Sequence, residues 1–110
     1  MPAMPWTTVC ELDALIPDVG VRALLGDDQV AVFRVSRSDD IFVIDAFDPF
    51  SNAPVLSRGI VGDLKGQLVV ASPVYKQHFN LKTGQCIEDD AVSIRTYPAR
   101  VIAGRVQVRH

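Results

Sequence analysis

Short apolar runs rich in Val, Ile and Phe alternate along the chain with clusters of Gly, Asp, Asn and Pro, the pattern of an antiparallel all-β domain. The runs that predict strands cover residues 7–10, 21–25, 29–35, 41–45, 68–71, 78–81, 93–97, 99–102 and 105–109. About nine short strands in this order predict a small barrel or sandwich. One stretch departs from the period of two. Across residues 11–16, Leu12, Leu15 and Ile16 fit one face of a single helical turn, which Pro17 ends.

Turn chemistry marks the connections. Gly26-Asp27-Asp28, Ser38-Asp39-Asp40, Lys82-Thr83-Gly84 and Ala103-Gly104 each lie between neighbouring apolar runs. Arg105-Val106-Gln107-Val108-Arg109 alternates strictly, which turns its valines to a core and its arginines to water. Between Phe47 and Leu68 the alternation lapses, and the segment reads as a long ordered loop, a place where compact domains commonly carry function. Pro73 interrupts the next apolar run and makes a second loop of residues 72–77.

The length of 110 residues leaves room for one domain, residues 1–110, and 48% hydrophobic with 22% charged residues is the composition of a soluble globule. No apolar run approaches the roughly 18 residues of a membrane-spanning helix. A net charge of −2 argues against a dedicated nucleic-acid binder, which would show a basic stripe. The N-terminal Met-Pro-Ala-Met-Pro-Trp shows neither a positive nor an apolar signal region, so the cytoplasm is the expected compartment. Charge is uneven along the chain, −6 over residues 1–50 and +4 over residues 51–110. That asymmetry marks an interaction surface unless the fold interleaves the two halves.

Candidate chemistry is sparse. Metal sites need Cys, His, Asp or Glu that converge on one ion, and no close-spaced set occurs. Cys10 and Cys86 stand alone, His78 lies in an apolar strand, and His110 is the last residue. Glu88-Asp89-Asp90 reads as a solvated acidic turn without the spacing of a calcium loop. Ser57 or Ser72 with His78 would be the material of a hydrolytic triad, but no nucleophile elbow accompanies them. Gly59-Ile60-Val61-Gly62 is a tight-turn pattern, not a nucleotide-binding fingerprint.

The two loops gain meaning when taken together. The first begins Asp48-Pro49-Phe50 and contains Leu56-Ser57-Arg58-Gly59; the second begins Ser72-Pro73-Val74-Tyr75 and leads into Phe79-Asn80-Leu81-Lys82-Thr83-Gly84. This layout resembles the Rieske domain, in which a Cys-x-His loop and a Cys-x-x-His loop meet at the tip of a small β-structure and hold a two-iron cluster. By that resemblance the four ligand positions are Asp48, Phe50, Ser72 and Tyr75, and all four are changed. The resemblance implies a Rieske-like all-β fold that has kept its loops and lost its cluster.

With these changes, and with Leu-Ser-Arg-Gly-Ile-Val-Gly-Asp and Val-Val-Ala-Ser-Pro-Val-Tyr-Lys-Gln-His-Phe-Asn-Leu-Lys-Thr-Gly, the chain is similar to the small-subunit family of assimilatory NAD(P)H-dependent nitrite reductases. The resemblance implies a large-subunit partner that carries FAD, an iron–sulfur cluster and sirohaem and reduces nitrite to ammonium. It implies no cofactor, metal or catalytic residue in this chain, and no nucleic-acid or membrane partner. Docking is then expected to fall to Phe50, Arg58, Tyr75, Lys76 and His78. Phe50 and Tyr75 would either plug the former cluster site or present aromatic contacts to the partner. Two other readings stay open: a stand-alone Rieske-type electron carrier that uses Cys10 and Cys86, and a ligand-binding β-barrel.

Overall fold

Ten strands make three antiparallel sheets in the computed structural model, which describes residues 5–36 and 38–109. His110 and residues 1–4 of the N-terminal stretch lie outside the described residues. The strands are β1 (Trp6–Glu11), β2 (Val21–Leu25), β3 (Asp28–Arg34), β4 (Ile41–Asp45), β5 (Ile60–Leu64), β6 (Gln67–Ala71), β7 (His78–Asn80), β8 (Thr96–Tyr97), β9 (Ala99–Ile102) and β10 (Arg105–Arg109). Sheet orders are β1-β10-β9, β2-β3-β4-β8 and β5-β6-β7.

The four-stranded sheet is the middle layer, and its two central strands explain the densest apolar runs. In β3, Val30 and Val32 point into one core while Ala31 and Phe33 point into the other. In β4, Ile41 and Val43 share the first core, and Phe42 and Ile44 the second. A strand buried on both faces needs apolar side chains at every position. The first core is closed by Val106 and Val108 of β10, as the alternation of that strand predicts, and the second by Val70, Phe79, Leu81 and Leu56.

Three predicted elements differ in detail. The segment from Phe47 to Leu68 is not loop throughout: β5 occupies Ile60–Leu64 and pairs with β6 from Ile60 opposite Ala71 to Leu64 opposite Gln67. Gly59, Gly62 and Asp63 mask its alternation, because most of this strand is solvent-facing and needs no apolar side chains. Lys65 and Gly66, at φ 53° and 82°, make the two-residue turn whose twist suits a hairpin. The strand predicted over residues 93–97 shrinks to Thr96–Tyr97, since Ile94 donates instead to the Gly84 carbonyl and Arg95 accepts from Asp45. The helical turn of residues 11–16 is a 3-10 turn over Leu12–Ala14, with Glu11 still in β1.

Pairing of the first strand with the last dissolves the charge asymmetry. Glu11 meets Arg105 across the β1–β10 pair at 3.6 Å, and Arg95 reaches Asp28 at 3.9 Å. Arg100 and Arg109 both stack on Trp6, at 4.2 and 5.0 Å from its ring centre.

Candidate functional site

The same six-residue turn recurs four times, beginning at Val35, Asp48, Ser72 and Asn80. In each, the first N–H donates to the sixth carbonyl and the fifth N–H returns to the first carbonyl. The fifth residue sits in the left-handed region: Asp39, Asn52, Lys76 and Gly84, at φ 59°, 55°, 67° and 79°. Three of the four turns are capped by their own first side chain, which accepts the N–H two residues on: Asp48 Oδ1 from Phe50 at 2.9 Å, Ser72 Oγ from Val74 at 3.3 Å and Asn80 Oδ1 from Lys82 at 2.8 Å. Pro49 and Pro73, second in their turns, supply a preset φ and have no N–H to satisfy.

The Asp48 and Ser72 turns are tied to each other. The Ser72 hydroxyl donates to Asp48 Oδ2 at 2.5 Å, a short charge-assisted bond across 24 residues of sequence. Both side chains are fully buried. Leu56, with no exposed surface, pins the rest of the first loop to the core. Gly59 lets the chain run close over β6, since a Cβ there would lie 2.5 Å from Val70 Cγ2 and 2.6 Å from the Ala71 carbonyl oxygen.

The structure separates the two aromatic residues that the sequence groups together. Phe50 is half-buried, packs on the core and meets Phe79 at 6.2 Å between ring centres. Tyr75 is 59% exposed. Phe47, Ile60 and Val74, which the sequence pattern does not mark, are exposed as well. Ile60 pairs with Ala71, the residue before Ser72. Arg58 and Lys76 are exposed at the edge, and neither forms an ion pair among the described residues.

His78 is not a free cation at this rim. Its Nδ1 lies 2.6 Å from Glu88 Oε2, and its backbone N–H donates to Glu88 Oε1 at 2.7 Å. Glu88 was legible only as part of an acidic turn, because its partner lies ten residues away on another element. Burial alone would raise the Glu88 carboxyl, but the His78 N–H, ring and charge outweigh it and hold the group below its ordinary value of 4.5. A depressed carboxylate stabilises the fold above its unfolded value and stops doing so as pH falls through its folded one. Glu88→Gln is therefore expected to flatten the decline of stability below about pH 4.5 in acid-denaturation curves, with parallel curves counting against the pair.

Residues 5–109 match the Rieske-like [2Fe-2S] domain family. The nitrite reductase (NADH) small subunit of Escherichia coli K12 is 49% identical over 104 residues, covering 94% of this chain and 96% of that one. The chain belongs to the Rieske-like family of nitrite reductase small subunits. A crystal structure assigned as the NADH-dependent nitrite reductase small subunit of Mycobacterium tuberculosis superposes with a TM-score of 0.93 at 48% identity, covering 99% of this chain and 97% of that one. In Klebsiella oxytoca, a nitrite reductase [NAD(P)H] large subunit contains a segment 39% identical over 108 residues, which takes up 98% of this chain and 11% of that one.

The cluster implied by the Rieske-like family name does not fit the residues of this chain. Phe50 has no donor atom, Tyr75 points outward as an exposed phenol, and the Asp48 carboxylate is already engaged by the Ser72 hydroxyl and the Phe50 N–H. Thiolate and imidazole donors are what such a cluster requires. The two cysteines do not make up the deficit. Cys10 packs against one core and Cys86 is buried in the other, and burial pushes both thiols upward, away from the thiolate form.

Proposed function

We propose that this chain serves its nitrite reductase as a non-catalytic docking subunit, held on the large subunit by the tied loop end. The observation that carries this reading is 49% identity over 94% of the chain with a nitrite reductase (NADH) small subunit, of which 96% is covered. The Klebsiella chain supports the choice of partner, since there a segment similar to this whole chain is covalently part of the large subunit. The exposed apolar group of Phe47, Ile60, Val74 and Tyr75 has the make-up of an interface centre, and Arg58 and Lys76 that of its charged rim. Phe50, packed on Phe79, supports the first loop from the core side.

The large subunit, on this reading, holds FAD, an iron–sulfur cluster and sirohaem, and passes electrons from NAD(P)H to nitrite to give ammonium. This chain holds none of them. It works in the cytoplasm beside its soluble electron donor, as one domain over residues 1–110.

Coexpression with a tagged large subunit tests the reading. The expected result is a stoichiometric complex whose NAD(P)H-dependent nitrite reduction falls when the small subunit is left out, while the small subunit alone is colourless and free of iron. A chain that ignores the large subunit, and that takes up iron and sulfide with broad visible absorption, would instead be a stand-alone electron carrier.

A further inference from the structure

The geometry points to Asp48 and Ser72 as positioning residues: we propose that their hydrogen bond replaces metal coordination as the link that holds the two loops in the shape the large subunit recognises. The inference rests on the docking reading above. Neither side chain reaches solvent, so neither touches a partner itself. Each does two things at once. Asp48 caps its own turn through Oδ1 and binds the other turn through Oδ2, while Ser72 caps its turn as an acceptor and crosses to the other as a donor. The groups offered to the partner hang on these two turns. Val74, Tyr75 and Lys76 are the third, fourth and fifth residues of the Ser72 turn, and Phe47 directly precedes Asp48.

Stability alone is a poor reason for this pair. A buried carboxylate carries a desolvation cost that an apolar pair of similar volume avoids, and such replacements are often neutral or stabilising. What the polar pair adds is direction. A short O–H···O⁻ bond between two capped turns admits one relative placement of the loops, whereas apolar contact admits many. In chemical terms, a cluster ligated from both loops and a hydroxyl–carboxylate bond between the same first positions of both loops impose the same constraint: the loops move together.

The test compares Ser72→Ala, Asp48→Ala and Asp48→Asn in the full chain. Affinity for the purified large subunit is measured well below each variant's melting temperature, and amide NMR shifts are recorded on the free chain. Ser72→Ala is expected to disturb amides of residues 50–53 in the opposite loop and to weaken binding by about tenfold, the factor that corresponds to ~1.4 kcal/mol. Asp48→Asn keeps an acceptor for the Phe50 N–H and a donor toward Ser72 Oγ, so it is expected to recover most of the affinity that Asp48→Ala loses. A bond that only stabilises would lower the melting temperature and leave the affinity of the folded protein unchanged, and that result overturns the proposal. Asp48→Asn as weak as Asp48→Ala also overturns it. If Asp48→Ala does not fold, Ser72→Ala and Asp48→Asn still decide. Failure of the wild-type chain to bind would sink the docking reading, whereas the effect of Ser72→Ala on the amides of residues 50–53 reports the link independently.

Discussion

Gly84→Ala is expected to lower the melting temperature by roughly 10 to 20 °C, or to prevent accumulation of the folded chain. Gly84 is the fifth residue of the Asn80 turn at φ 79°, where any side chain is strained. A Cβ there would also lie 2.0 Å from the Ile94 carbonyl oxygen, a backbone atom that the Ile94–Gly84 hydrogen bond holds in place. Left-handed strain alone costs about 1 kcal/mol, and a backbone clash that shifts Ile94 brings the total to roughly 3 kcal/mol or more. For a domain of this size, each kcal/mol moves the midpoint by about 4 to 8 °C. Gly66→Ala is the control, because Gly66 has φ 82° and nothing within 4 Å of its would-be Cβ. Thermal melts of both variants separate crowding from backbone strain. Equal midpoints would show that the approach of Ile94 to Gly84 is not tight in solution.

Tyr75→Ala and the charge reversal Arg58→Glu with Lys76→Glu should weaken the complex with the large subunit while leaving the free chain intact. Tyr75 is 59% exposed, so its loss should change stability by only about 0.5 kcal/mol. At the centre of an interface a truncated tyrosine costs about 2 kcal/mol or more, roughly thirtyfold in affinity. The double reversal acts differently. Rim charges steer encounter, so the expected signature is a slower association rate that worsens at low salt and recovers as salt is raised. Phe50→Ala should reverse the balance: half-buried against Phe79, it lowers stability before it affects docking. Surface plasmon resonance across a salt series, paired with melts of the free variants, checks all three. Unchanged affinity and rates for both Tyr75→Ala and the double reversal would move the interface to another face.

Much of the fold could be read from the pattern of residues because β-strands report burial locally. The runs at 29–35 and 41–45 are apolar on both faces because β3 and β4 are the centre of the middle sheet, and the Arg105–Arg109 alternation marks a strand with one wet face. Strand β5 escaped because an exposed strand carries no such signature; its existence depends on backbone bonds to β6, which no single segment encodes. The changed ligand positions were likewise visible in the residues themselves, since Phe50 has no atom to give an iron whatever surrounds it. Tertiary structure alone decided the rest. Capping its own turn is only half of the role of Asp48; the 2.5 Å bond to Ser72 exists because β6 delivers the second loop beside the first. In the same way His78 and Glu88, a strand histidine and one acid among three, become a pair only when β7 and the following loop meet. Local sequence sets what a backbone segment prefers, but a hydrogen bond between side chains far apart depends on where the fold places both ends.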